Sequence, residues 1–333
     1  MLPAAFPYCL APMDSLTNPV FRRLVAAFLP PGIPMAFFSP AINPNDLLHK
    51  SSFTKETVPV NPGETLFYNL MHGDPEIVVS GMELLLKNNP VGFTLNCGCP
   101  RRKIQKADHF PIGAALMGHP ERVAAIVRCT KKRFPAIHFS VKIRAGLTHN
   151  PEKLFDFCTQ IEDAGTDAII FHARTARDQF THPARHELFG ELKQRVRVPL
   201  IGNGDILTDA KAMAVMADYG LDGVMIGRGA LLTPAVFRAI ALRIAGTPAA
   251  HPVMAWEEKR DFLLAYARET HAEYGRPVMV NRVRLLARWF CKGVAFGQTL
   301  LGNVHRAKTL PEMEAAVLTF FETPKAQYAE SLF

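Results

Sequence analysis

The chain has 333 residues, of which 48% are hydrophobic and 20% charged, with a formal net charge of +8. That is material for one large α/β domain and a smaller one, and the positive balance favours a polyanionic partner. The first basic residue is Arg22, no apolar run approaches the roughly 20 residues of a membrane span, and the six cysteines are scattered; a secretion signal, a membrane anchor and a disulfide framework are therefore not expected.

Strand-like and helix-like segments alternate along the chain. Tyr8–Met13 is a short apolar strand, and Asn18 and Pro19 open a helix over Val20–Leu29 as N-cap and first helical residue. Met35–Phe38 is the second strand, followed by a long loop over Ala41–Pro62 with one helical turn. Thr65–Leu70 is the third strand, and Asp74-Pro75-Glu76 starts a helix to Asn88. The apolar run Val91–Leu95 reads as a buried fourth strand that feeds the loop Asn96-Cys97-Gly98-Cys99-Pro100. Helix Pro120–Phe134 ends in Lys131-Lys132-Arg133, which suits a helix C-terminus. Strand Ile137–Ile143, helix Pro151–Ala164, strand Ala168–Phe171 and helix His186–Val196 follow. Leu200–Ile201 begins a seventh strand, Thr208–Tyr219 is a helix stopped by Gly220, Gly223–Ile226 is the eighth strand and Ala235–Ala245 the eighth helix.

Eight strand-then-helix units in this length predict a TIM (β/α)8 barrel over residues 1–246. A doubly wound sheet would carry a Gly-x-Gly-x-x-Gly turn after its first strand, and none is present. Gly246–Pro252 reads as a linker. Beyond it, residues 253–333 show only helical patterns, over Trp256–Tyr274, Met279–Lys292 and Pro311–Phe321, with a short amphipathic segment near Leu300–Lys308, and predict an all-helical C-terminal domain.

Barrel enzymes place their chemistry at the strands' C-terminal ends. Those ends offer Ala11, Pro12 and Met13, then Asn69, Asn96, Cys99, Lys142, Arg144, His172 and Arg174, then Asn203, Gly204 and Asp205, then Gly227, Arg228 and Gly229. Any one of these has an ordinary structural explanation, but their coincidence in one barrel favours a site. The glycine-rich ends of strands seven and eight suit a phosphorylated cofactor, to which Arg228 adds a positive charge. Lys142 could stabilise negative charge on a reduced ring, which fits flavin mononucleotide better than a sugar phosphate without deciding between them. Cys97 and Cys99 lack zinc spacing and a second ligand pair, so no metal is expected. Cys97 reads as a packing residue and Cys99 as the functional thiol.

The ordered set Ala11-Pro12-Met13, Asn96-x-Gly98-Cys99-Pro100, Gly113-Ala114-Ala115-Leu116-Met117, Val141-Lys142-Ile143-Arg144-x-Gly146, His172-Ala173-Arg174-Thr175, Asn203-Gly204-Asp205-Ile206 and Asp222-Gly223-x-Met225-Ile226-Gly227-Arg228-Gly229 resembles the tRNA-dihydrouridine synthases over nearly the whole chain. The helical end, with Arg282, Arg284 and Trp289, is most similar to the subgroup acting at position 16 of the D-loop. The resemblance implies an FMN-dependent enzyme that reduces the C5–C6 bond of a D-loop uridine, with NADPH as a transient reductant. It implies FMN contacts from Ala11, Pro12, Met13, Asn69, Lys142, His172, Asn203, Gly204, Asp205, Gly227 and Arg228, and a general acid in Cys99. Asn96, Arg144, Arg174, Arg282, Arg284, Arg288 and Lys292 would face the tRNA, with Arg101, Arg102, Lys103 and Lys106 extending the path. A monomeric cytoplasmic protein is expected, with tRNA bound at the D-loop and elbow.

Asn69 stands where the family usually has Gln, His72 where Gly is usual, Ser39 where many members have an acid, and Gln179-Phe180-Thr181-His182 keeps only part of the family pattern. Two other readings therefore stay open: a tRNA-binding or folding protein with impaired catalysis, and an FMN-dependent oxidoreductase of a small pyrimidine.

Overall fold

The computed structural model describes residues 7–49, 61–100, 106–107, 110–178, 181–247 and 253–323. Arg101, Arg102, Lys103, Gln179 and Phe180 lie outside the described residues, as does the side chain of Lys106. Eight parallel strands close into a barrel in the order β1-β8-β7-β6-β5-β4-β3-β2. They are β1 (Tyr8–Leu10), β2 (Met35–Ile42), β3 (Leu66–Leu70), β4 (Gly92–Cys97), β5 (His138–Arg144), β6 (Ala168–His172), β7 (Leu200–Asn203) and β8 (Gly223–Ile226). The helices between them in the chain are α1 (Pro19–Ala26), α2 (Pro44–His49), α3 (Pro75–Leu86), α4 (Pro120–Arg133), α5 (Pro151–Asp163), α6 (Glu187–Lys193) and α7 (Asp209–Tyr219), and α8 (Arg228–Leu232) and α9 (Val236–Ile244) follow β8.

Local chemistry explains several boundaries. Asp74, Asn150 and Thr208 cap α3, α5 and α7 through side-chain oxygens that accept first-turn N–H groups. Strand β4 runs through Asn96 and Cys97, so the loop starts at Gly98, later than the apolar run alone suggests. Strand β2 continues past Pro40, which cannot donate a ladder hydrogen bond, and the register to β3 shifts between Phe38 and Ala41. The Ser39 hydroxyl takes over there: it accepts from the Asn69 N–H at 3.0 Å and donates to the Pro40 carbonyl at 2.9 Å.

Alternate residues of each strand face the barrel axis. Cys9, Ala36, Phe38, Phe67, Ile170, Ile201 and Met225 form the inward cluster and are buried. Phe67 stacks on Phe38 at 5.1 Å and meets the His138 ring edge-on at 5.6 Å. Gly92 makes room for it, since a Cβ there would stand 2.6 Å from Phe67 Cε1. Burial of each such aromatic contributes about 1.5–3 kcal/mol.

The chain divides into two compact units. The first holds the segment up to Pro19 and Pro34–Gly227; the second holds Val20–Ile33 and everything from Arg228 onward. The second unit contains α10 (Trp256–Tyr274), α11 (Arg276–Phe290), α12 (Gly297–Arg306) and α13 (Leu310–Glu322). It includes α1 residues because Phe21 packs edge-on against Phe262 and Tyr266 at 6.1 and 6.2 Å, and Arg23 pairs with Glu269. Among the described residues, no helix is long and apolar enough to cross a membrane.

Candidate active site

Paired residues in a parallel ladder face the same side, so the registers carry the inward face from strand to strand. Asn69 pairs with Thr94, Asn96 with Lys142, Arg144 with His172, and His172 with Asn203. With Ala11 and Gly227 these residues lie two positions beyond, or in line with, the inward aromatic and aliphatic layer. The strand ends therefore bring Ala11, Asn69, Asn96, Lys142, Arg144, His172, Asn203 and Gly227 onto one face of the barrel at its C-terminal end. Cys97 pairs with Ile143 on the opposite face and is fully buried, and burial pushes its thiol up. It is a packing residue.

Cys99 is half-buried and follows the strand by two residues. Its backbone is held at several points. Asn96 Oδ1 accepts the N–H groups of Gly98 and Cys99, at 3.0 and 3.1 Å. The Cys99 carbonyl accepts from Ala114 N at 2.9 Å. Gly113, at φ 56°, comes so close that a Cβ would sit 2.7 Å from the Cys99 oxygen. Arg144 Nε donates to the Gly98 carbonyl at 2.7 Å and its Nη1 to the Thr175 carbonyl at 3.0 Å.

Beside this loop, the Asn69 backbone is engaged by Ser39, but its Oδ1 is buried without a hydrogen-bond partner among the described residues, and so is Thr94 Oγ1. A buried acceptor without a donor costs about 1–3 kcal/mol, so a ligand donor would be well received there. The half-buried Lys142 ammonium makes no hydrogen bond or ion pair among the described residues. Burial and then the charge of Arg144 push it down to about 8, with Cys99 acting in the other direction.

The loop after β7 turns through two left-handed residues, Gly204 at φ 113° and Asp205 at φ 50°. A Cβ at Gly204 would lie 2.8 Å from the His172 ring. The Asp205 carboxylate accepts from Arg174 Nη2 at 2.5 Å and from Ala184 N at 2.8 Å. Arg174 Nε also donates to the His182 carbonyl at 2.6 Å, so this guanidinium, like that of Arg144, is committed to holding loops. Asn203 Nδ2 donates to the Met225 carbonyl at 2.7 Å, and a Cβ at Gly227 would lie 3.4 Å from Ala11 Cβ and 3.5 Å from Met13 Sδ.

The remaining expected residues belong to the helical unit. Arg228 opens α8, with its guanidinium 5.9 Å from the centre of the Trp289 ring. Arg282 is buried and lies 4.0 Å from the Tyr274 ring centre, which separates it from the exposed Arg288 and Lys292. Arg284 Nη2 donates to the Ala307 carbonyl at 2.9 Å. Lys292 sits in a 3-10 turn, Cys291–Gly293, after α11 has ended, with its Nζ 4.7 Å from the Trp289 ring centre.

The sequence model of the dihydrouridine synthase family (Dus) matches residues 9–322. The chain belongs to that family. It is thus an enzyme, an oxidoreductase on a TIM barrel. It is 28% identical over 314 residues to tRNA-dihydrouridine synthase B of Xanthomonas campestris, covering 92% of this chain and 90% of that protein. It is 30% identical over 246 residues to tRNA-dihydrouridine(16) synthase of Vibrio vulnificus, covering 73% of this chain and 71% of that protein. A solved structure of 2-naphthoyl-CoA reductase shares the fold, with a TM-score of 0.56 at 11% identity over 73% of this chain and 50% of that one.

Around Cys99, several contributors do not read as strand-end residues in the sequence. Thr94 reads as one apolar-strand residue among others, and only its register with Asn69 exposes its place. Ala114 and Gly113 stand in the quoted motif: the Ala114 N–H donates to the Cys99 carbonyl, and the missing Cβ of Gly113 leaves room for it.

Proposed function

We propose that this chain reduces the C5–C6 bond of a uridine in the tRNA D-loop, with FMN as bound cofactor and NADPH as reductant. One arrangement carries the reading: a half-buried thiol, Cys99, on a loop fixed at its N–H and its carbonyl, in the same barrel end as a buried acceptor, Asn69 Oδ1, and an ammonium, Lys142, neither of which has a partner among the described residues. These residues fit a flavin. Its ring N–H groups would meet Asn69 Oδ1, and Lys142 would balance the negative charge of the reduced ring. The left-handed turn at Gly204 and Asp205 after β7, and Gly227 after β8, would present backbone N–H groups to its phosphate-bearing arm.

When bound, FMN would supply the hydride that C6 of the uracil takes up, with NADPH as its reductant. The chain's own residues do the rest. Cys99 Sγ–H gives a proton to C5 and regains one from solvent, to which it is half open. Lys142, with its pKa near 8, stays largely cationic at neutral pH and so would balance the charge of the reduced ring. A stacked base must leave the tRNA helix to reach such a recessed site. The test is nucleoside analysis of tRNA incubated with the purified chain, FMN and NADPH, together with mapping of the modified position. Formation of dihydrouridine in the D-loop is expected. NADPH consumption coupled to a free pyrimidine, with tRNA unchanged, would overturn the reading.

A further inference from the structure

The strand-end arginine of β5 faces the barrel mouth, where substrate contact is the obvious assignment. Its hydrogen bonds describe something else. Arg144 is 4% exposed, and two of its nitrogens are committed to backbone carbonyls. Nε donates to Gly98, the residue immediately before Cys99; Nη1 donates to Thr175 in the loop after β6. The Thr175 N–H donates in turn to Asp178 Oδ2 at 2.8 Å, and that oxygen also accepts from Arg185 Nη1 at 2.7 Å. The Cys99 loop is thereby tied to a second loop that is itself anchored. From the other side, Asn96 Oδ1 accepts the N–H groups of Gly98 and Cys99. The Gly98–Cys99 segment is held through its donors by Asn96 and through the Gly98 acceptor by Arg144.

We propose that Arg144 is a positioning residue for Cys99, setting the reach of the thiol to the reacting carbon, with Asn96 as its counterpart on the amide side. This rests on the reading of Cys99 as the general acid. A proton donor displaced by about 1 Å loses on the order of 10²-fold in rate, because the reacting atoms leave their in-line contact. Substrate binding does not depend on that distance.

The experiment is a double-mutant cycle on the single-turnover oxidation of the reduced flavoenzyme by tRNA, using wild type, Arg144→Ala, Cys99→Ala and the double variant. Flavin content and NADPH oxidation without tRNA serve as folding controls. Arg144→Ala is expected to slow the step by roughly 10²-fold with the tRNA concentration at half-maximal rate unchanged, and to raise its solvent deuterium effect as proton delivery becomes limiting. Arg144→Lys, which can reach one of the two carbonyls, should recover part of the rate. In the Cys99→Ala background the Arg144 change should cost nothing further. If the two losses multiply while Cys99→Ala alone is slow, Arg144 acts independently of the thiol and the proposal is overturned, with the general-acid reading intact. A raised half-maximal tRNA concentration with an unchanged maximal rate would make Arg144 a substrate contact and also overturn it. If Cys99→Ala turns over at the wild-type rate, the general-acid reading itself fails. Should Arg144→Ala not hold flavin, Asn96→Ala tests the same claim from the opposite side of the loop.

Discussion

Cys97 and Cys99 are two residues apart, yet they face different environments. Strand β4 continues through Cys97 and turns its side chain to the outer, fully buried face, whereas Cys99 lies beyond the strand and is half-open. Cys99→Ala should keep flavin bound and lose ~10²–10⁴-fold in tRNA reduction, the range for a lost general acid. Cys97→Ala should lower thermal stability while leaving turnover nearly intact; the two activities and melting curves, measured side by side, check this, and a reversed pattern would reassign the acid. Gly113 permits a sharper test. It has a left-handed φ of 56°, and an added Cβ would fall 2.7 Å from the Cys99 carbonyl oxygen. Gly113→Ala should therefore displace Cys99 and slow tRNA reduction by ~10-fold or more without changing flavin content, since misplacement of about 1 Å is costly to proton transfer. Unchanged turnover in that variant would mean that the loop adapts freely and that its bracing is dispensable.

At the level of elements, the N-terminal ends of the strands are pinned by a repeated device. Asp167, just before β6, accepts from the Phe139 N–H at 2.7 Å and from Lys131 at 2.8 Å. Asp222, just before β8, accepts from the Leu200 N–H at 2.8 Å and from Lys193 at 2.5 Å. His138 sits in this region, at the start of β5. Burial pushes its imidazole down to about 4; Asp167 opposes this and Lys131 adds to it. The unfolded chain would protonate this side chain near pH 6.5, so between about pH 6.5 and 4 the unfolded state binds more protons. Stability is then fully present above pH 6.5 and falls as the pH drops toward 4, by at most about 3 kcal/mol from this group. His138→Gln should flatten that part of the acid limb in melting temperature, and an unchanged limb would place the titration elsewhere. Such devices are partly legible in the sequence. Caps at Asp74 and Thr208 and the strand-helix alternation follow from residue type, so the barrel is readable. The end of β4 is not, because Asn96 and Cys97 look like loop residues until the pairing with Lys142 and Ile143 extends the strand. The membership of α1 in the helical unit is not either, since the partners of Phe21 lie some 240 residues away and no local pattern encodes them.

For the whole molecule, the net charge of +8 is unevenly spread. From Arg276 to Lys308 the chain carries seven Lys or Arg residues and no Asp or Glu. Structure divides these by availability. Arg282 is buried on Tyr274 and Arg284 holds the Ala307 carbonyl, whereas Arg288 and Lys292 are exposed and form no ion pair among the described residues. Arg288, in the last turn of α11, and Lys292, in the turn that follows it, carry like charge, and their mutual repulsion gives folding no reason to keep them close. A tRNA backbone does: each neutralised phosphate releases condensed counterions and adds ~0.7–0.9 to the slope of log affinity against log salt. Reversing both Arg288 and Lys292 to glutamate should weaken tRNA binding and flatten that slope by roughly 1.4–1.8 or more. Flavin content and NADPH oxidation without tRNA should stay at wild-type levels, because both residues lie in the helical unit rather than among the strand ends of the barrel. The same reversal at Arg284 should behave differently, lowering the melting temperature through the lost Ala307 contact as well as affecting binding. A salt series in which the Arg288 and Lys292 reversals leave tRNA affinity and slope unchanged would show that these charges serve solubility and that the RNA is held by other residues.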